Sequence, residues 1–151
     1  MGYREVRAKF IQFFQERGHQ LVPSSPLIPE HDASVLFTTA GMQQFKPYYT
    51  GMASPFGDRV VSVQKCFRTS DIDEVGDDTH LTFFEMFGNF AFNNAVKKSE
   101  AILWGWEFLT APDWLGIDKS RILATYYNGN RPSTFSDQEA QAVLESLRAE
   151  G

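Results

Sequence analysis

The chain has 151 residues, enough for one domain with a sizeable core or for a piece of a larger one, and too few for two full domains. Hydrophobic residues make up 42% and charged residues 22%, which excludes a disordered, collagen-like or membrane-spanning chain. With 14 basic against 19 acidic side chains the net charge is -5, which excludes a strongly basic nucleic-acid binder that works by phosphate neutralisation alone.

Val6, Phe10, Phe13 and Phe14 fall at i, i+4, i+7 and i+8 with charges between them, and predict a one-faced helix over residues 3 to 17 that stops at Gly18. Leu21-Val22 and Leu27-Ile28 flank Pro-Ser-Ser-Pro, where two prolines in four residues forbid a helix and predict extended, edge-like backbone. Val35-Leu36-Phe37 is a further extended stretch, followed by a break at Thr39-Ala40-Gly41-Met42 and a short turn or helix through Phe45. Residues 59 to 67 alternate as a strand, with Val61, Val63, Lys65 and Phe67 on one face. Residues 69 to 79 carry Asp71, Asp73, Glu74, Asp77 and Asp78 and read as a polar loop. Leu81 to Phe92 holds Phe83, Phe84, Phe87, Phe90 and Phe92, a density that requires deep packing, a ligand, or both; Gly88-Asn89 predicts a bend in this buried strand. Asn93-Asn94 is the expected N-cap of a helix through Ala95, Ile102, Trp106 and Leu109 that ends near Pro112. Residues 121 to 127 are a strand candidate, and Ser136 with Glu139 forms a capping box for a last helix to about Glu150. Helices and strands mix without regular alternation, which predicts an α+β domain with an antiparallel sheet flanked by helices.

Chemical motifs are sparse. There is no phosphate-cradling Gly-rich loop, and His19, His31 and His80 lack metal-ligand spacing, so no metal site is expected. The single cysteine, Cys66, excludes an intrachain disulfide, favours a reducing compartment, and reads as a packed strand residue. No apolar signal core or membrane-length run occurs, so a cytoplasmic location without membrane contact is expected. Residues 1 to 65 hold 7 basic and 5 acidic side chains against 7 and 14 in the remainder, which makes the first half the better face for an anion. Arg68 leaves one strand and Thr82-Phe83-Phe84-Glu85-Met86 returns in the next. Such a hairpin either holds a guanidinium against a phosphate beside a base-stacking ring, or is a salt-bridged surface hairpin with an apolar inner face.

Phe10-Ile11-Gln12-Phe13-Phe14, Gly18-His19, Ser24-Ser25, Leu36-Phe37-Thr38, Ala40-Gly41-Met42, Gln44-Phe45-Lys46, Gln64-Lys65-Cys66-Phe67-Arg68, Val75-Gly76 and Thr82-Phe83-Phe84-Glu85-Met86-Phe87-Gly88-Asn89-Phe90 occur in this order. From about Val6 to Thr110 the chain thereby resembles the N-terminus of the alanyl-tRNA synthetases, a class II aminoacyl-tRNA synthetase family. The resemblance implies a class II catalytic domain of which residues 1 to 151 form an incomplete, N-terminal portion, with the first class II motif over 19 to 45 and the second over 59 to 92. It implies ATP and Mg²⁺ as cofactors, with alanine and tRNA(Ala) as partners, the tRNA held mostly through downstream regions, and a homodimer built near the first motif. By the same resemblance Arg68 is the catalytic contact to the ATP α-phosphate and Phe84 the adenine-stacking ring. Glu85 and Met86 lie beside the adenosine, Met42 near the nucleotide pocket, and His80 replaces a phosphate-side histidine. The alternative is a synthetase-like nucleotide- or RNA-binding module without catalysis.

Two departures from the family pattern bear on phosphate handling. Thr69-Ser70 leads directly into Asp71, where the family carries a longer loop with Gly-Gly-Lys-His-Asn, and the Arg-His-His before Thr-Phe-Phe becomes Thr79-His80-Leu81. The third class II motif, with its ATP-binding arginine, and the alanine-pocket residues are expected downstream. Residues 1 to 151 alone are therefore expected to give undetectable or very slow alanine-dependent pyrophosphate exchange; brisk exchange would make the lysine and the second arginine dispensable.

Overall fold

The computed structural model describes residues 1–30, 35–70, 72–129 and 137–149. The chain divides into two compact units, Met1–Ala95 and Val96–Gly151. In the first, helix α1 (Tyr3–Gln15) leads into the short strand β1 (Gln20–Leu21), a 3-10 turn Gln43–Phe45, the one-turn helix α2 (Lys46–Tyr49), and the strands β2 (Arg59–Phe67) and β3 (Phe83–Ala91). Gly18, at φ +77°, turns the chain out of α1, and the His19 N–H closes the turn on the Phe14 carbonyl at 3.0 Å.

The sheet has the order β1-β2-β3. It is mixed, not purely antiparallel: β1 runs parallel to β2 (Gln20 beside Val60), and β2 and β3 form an antiparallel hairpin in unbroken register from Arg59–Ala91 to Phe67–Phe83. The parallel pair follows from the path out of α1, which crosses to the far edge of β2 instead of turning back as a hairpin. The expected bend at Gly88-Asn89 is absent. Gly88 sits opposite Ser62 in continuous ladder, and it is a glycine because a Cβ there would collide with the Phe90 ring.

On β2 one face is buried along its length, while the face of Val61, Val63, Lys65 and Phe67 is fully buried only at Val61. Val60, Ser62, Gln64 and Cys66 are all buried, whereas Val63 and Phe67 are half-buried and Lys65 is exposed. Ser62 and Gln64 disguised this face in the sequence because they are polar, and Gln64 is buried only because its amide is fully bonded. Its Oε1 accepts from the Ser25 N–H (2.9 Å), the Ser25 hydroxyl (3.1 Å) and Gln44 Nε2 (3.0 Å). Its Nε2 shares two hydrogens among Ser24 Oγ (3.0 Å) and the carbonyls of Ser25 (3.0 Å) and Lys65 (2.8 Å). Beside it Val22, Phe45, Val60 and Phe92 form the apolar core, with Tyr48 and Phe90 packed against them.

The second unit pairs α3 (Lys98–Thr110) with α4 (Gln138–Ala149). Asn93 and Asn94 are not the N-cap of α3: both adopt left-handed φ (52° and 56°), a conformation asparagine tolerates, and the capping residue is Lys97. Ser136 lies outside the described residues. Asp137 caps α4 by accepting from the Ala140 N–H, and Glu139 accepts from the Ser99 N–H of α3. Lys98 and Asp137 add an ion pair at 2.8 Å, which holds the lysine above and the aspartate below its ordinary pKa. The strand expected over 121 to 127 is not formed. Lys119–Arg121 is a 3-10 turn, and the extended run after it has no neighbouring strand among the described residues to complete a ladder.

Replacing Gln64 with leucine keeps the volume and strands its partners without a bond, each orphaned buried group costing about 1–3 kcal/mol. Gln64→Leu is expected to lower unfolding stability by roughly 3 kcal/mol or more in a urea titration, against less than about 0.5 kcal/mol for the exposed Lys65→Ala.

Candidate nucleotide site

Alternation along β3 sends Phe84 and Met86 to one side of the sheet and Phe83, Glu85 and Phe87 to the other. Because Cys66 faces Phe84 and Gln64 faces Met86 across the hairpin, the side of Phe84 and Met86 is also that of the buried face of β2. Arg68 follows β2 on the same side. Its N–H bonds the Thr82 carbonyl at 2.8 Å, extending the hairpin by one step, and its guanidinium carbon lies 5.1 Å from the Phe84 ring centroid.

A second chain segment fixes the arginine from the other end. Arg68 Nε donates to the Thr39 carbonyl at 3.0 Å, and the Thr39 N–H donates to Oε1 of the buried Gln43 at 3.1 Å. The two terminal nitrogens of Arg68 make no hydrogen bond to any described residue, so the fork that suits a phosphate is left available. Next to it the Gly41 N–H points at Met86 Sδ (3.1 Å), with an ideal Cβ on Gly41 already 3.5 Å from that side chain. Met42 follows at the surface. Burial pushes the Cys66 thiol up, with the Arg68 charge and the Met86 N–H pulling it back, so this cysteine stays a neutral packing residue.

Of the residues expected at the site, Arg68, Phe84 and Met86 share one face of the hairpin, with Met42 beside their Gly41 wall. Glu85 lies on the opposite face, where Arg7 of α1 holds it in a bidentate pair (Nη2 to both carboxylate oxygens at 2.5 Å). His80 belongs to the loop: its Nδ1 is 2.6 Å from Asp77 Oδ2 and its Nε2 3.1 Å from Glu74 Oε2. Sequence reasoning missed Thr39 and Gln43, whose roles rest on a backbone carbonyl and on a contact four residues along; neither leaves a pattern. It also missed a cleft of about 460 Å³ lined by Ser25, Pro29, Thr38, Gln43, Lys46 and Tyr48, which includes none of Arg68, Phe84 and Met86. Among the described residues no group of three His, Cys, Asp or Glu side chains could hold a metal ion, and no helix is long and apolar enough to cross a membrane.

The loop's one strongly shifted group is Asp77. The His80 N–H (2.6 Å), the His80 ring and the Thr79 N–H (2.9 Å) hold its carboxyl at about 2. A depressed carboxylate contributes its bonds fully above its ordinary value of 3.8 and loses them as pH falls toward 2. The Thr79 and His80 amide resonances are therefore expected to shift together between about pH 4 and 2, and Asp77→Asn to abolish that step; amide shifts that are flat over this range would remove the turn.

The chain matches the family model described as tRNA synthetases class II (A) over residues 5–149. It is 52% identical over 148 residues to an alanine–tRNA ligase of Rubrobacter xylanophilus, covering 98% of this chain and 16% of that protein. It is 45% identical over 143 residues to an alanine–tRNA ligase of Treponema pallidum, covering 95% of this chain and 23% of that protein. An alanine–tRNA ligase of Dehalococcoides mccartyi is 53% identical over 123 residues, 82% of this chain and 14% of its own length. The chain thus spans between about a seventh and a quarter of the length of these relatives. A family match that runs over residues 5–149, through both compact units, makes this chain a member of the class II (A) tRNA synthetases.

Proposed function

We propose that residues 1 to 151 are the nucleotide-side portion of the aminoacylation domain of an alanine–tRNA ligase. The observation that carries the reading is the Arg68 fork, tied at Nε and, among the described residues, without a hydrogen bond at either terminal nitrogen, beside the Phe84 ring. One group suits the α-phosphate of ATP and the other the adenine, with Met86 and Met42 as apolar walls.

In the reaction, the alanine carboxylate, ionised at neutral pH, attacks the α-phosphate in line and displaces pyrophosphate, so no protein base is needed. Charge accumulates on the phosphate oxygens as the new bond forms. Arg68 stabilises it from a position already fixed by Thr39, with no reorganisation at the moment of reaction. The terminal ribose hydroxyl of tRNA(Ala) then attacks the carbonyl of the alanyl adenylate and releases AMP. Mg²⁺, held largely by the triphosphate itself, would add to Arg68 in offsetting charge on the phosphate oxygens. Alanine and tRNA(Ala) are drawn from the names of the relatives; a homodimer near the first motif, from the family resemblance, and a cytoplasmic location, from the sequence, belong to the same proposal.

Calorimetric titration with ATP and Mg²⁺ tests the reading. Arg68→Ala removes charge-assisted hydrogen bonds of about 1.5–3 kcal/mol and is expected to weaken ATP by roughly tenfold or more. Equal affinity in the two proteins would take Arg68 out of the site.

A further inference from the structure

The Arg7–Glu85 pair lies behind the nucleotide face. It joins the first turns of α1 to the middle of β3, 78 residues away, with both side chains partly shielded from solvent (37% and 25% exposed). The Tyr3 ring lies 5.8 Å from the Arg7 guanidinium, and one helical turn on, Phe10 packs its ring 5.1 Å from that of Phe87. α1 therefore grips the same face of β3 at two successive outward positions, 85 and 87.

β3 needs such a grip. Among the described residues it pairs only with β2, so its other edge does nothing to fix its twist. Phe84 and Met86 flank Glu85 in sequence and point the opposite way, so a rotation of the strand about its axis moves all three together. Arg68, by contrast, is held by the Thr39 carbonyl, outside β3.

We propose that Arg7 and Glu85 are positioning residues: a clamp between α1 and the back of β3 that sets the pose of Phe84 and Met86 against a purine. The inference rests on the nucleotide reading above and assigns Glu85 a structural place in it. The bidentate fork fixes orientation as well as distance, which a lysine ammonium would not do.

The clamp acts on base contacts and leaves phosphate contacts alone, so the experiment compares ATP with inorganic tripolyphosphate, both with Mg²⁺, by calorimetry on the full chain. Arg7→Ala and the isosteric Glu85→Gln are expected to weaken ATP about three- to tenfold, part of the stacking contribution of one base, and to leave tripolyphosphate unchanged. The exchanged pair Arg7→Glu with Glu85→Arg is expected to restore ATP affinity. Arg68→Ala is expected to weaken both ligands. Loss of both ligands on Glu85→Gln would make the pair a general stability contact and overturn the clamp. An Arg68→Ala effect without any Arg7 or Glu85 effect on ATP overturns the clamp alone; silence of all three variants overturns the clamp and the nucleotide reading together.

Discussion

The free edge of β2 is the constraint on which the first unit is built. Beyond the two residues of β1, the N–H groups of Lys65 and Phe67 on that edge have no strand to pair with. They bond instead to Ser24 Oγ (3.1 Å) and the Thr38 carbonyl (2.9 Å). Two irregular segments thus do the work of a fourth strand, and the Gln64 amide holds the first of them in place by bonding Ser24, Ser25 and Gln44 at once. An apolar residue at 64 would fill the space and leave Ser24-Ser25 with no reason to lie along the edge. Thr38 in turn is anchored by its own hydroxyl on the Pro26 carbonyl at 2.7 Å. The next residue, Thr39, carries the carbonyl that orients Arg68, so the arginine's pose traces back through Thr38 and the Ser-Ser segment to the buried glutamine.

The two faces of β3 divide the labour. Its inner face meets the segment from Thr39 to Phe45, with Met86 against Gly41 and Phe90 4.8 Å from Phe45. Its outer face meets α1. Close approach on the inner side requires a glycine at 88, where the Phe90 ring lies over the backbone, and at Gly41 the backbone N–H reaches the Met86 sulfur. Phe90 and Phe92 serve the core, Phe87 serves the helix contact, and Phe84 is left beside a cation.

What could be read in the sequence followed how local its cause was. The helix α1 was legible because Phe10, Phe13 and Phe14 repeat on one face and Gly18 supplies the left-handed turn. Arg68 and Phe84 were legible as a pair because a hairpin brings the end of one strand to the start of the next whatever the connection between them does. Burial of Gln64 on β2 was not legible because its amide is bonded to Ser24, Ser25 and Gln44, 20 or more residues away, and hydropathy cannot register a satisfied amide. The run from 121 to 127 carries strand-like residues, but a strand requires a neighbour, and composition does not supply one. Glu85 was placed beside the adenosine by its neighbours in the motif, while strict alternation sends it to the other face, where a basic residue at position 7 waits.

The acidic loop after Arg68 bears on whether this face tolerates a triphosphate. Two unit charges roughly 8 Å apart interact by about 2 kcal/mol at an effective dielectric of about 20, enough for several carboxylates to cancel the arginine. The loop carboxylates of Asp73, Glu74, Asp77 and Asp78 are exposed, however, and in water the same pair amounts to about 0.5 kcal/mol, reduced further by salt over a Debye length of about 8 Å. Asp77 is also turned inward on its own loop, its oxygens taken by the N–H groups of Thr79 and His80, and Glu74 faces the His80 ring. The loop thus spends its strongest acceptors on folding itself. The half-buried guanidinium of Arg68, less exposed to screening, keeps the larger share of the local field. For an anion at the hairpin, burial and not charge count would decide the balance, because the exposed loop carboxylates are the more strongly screened.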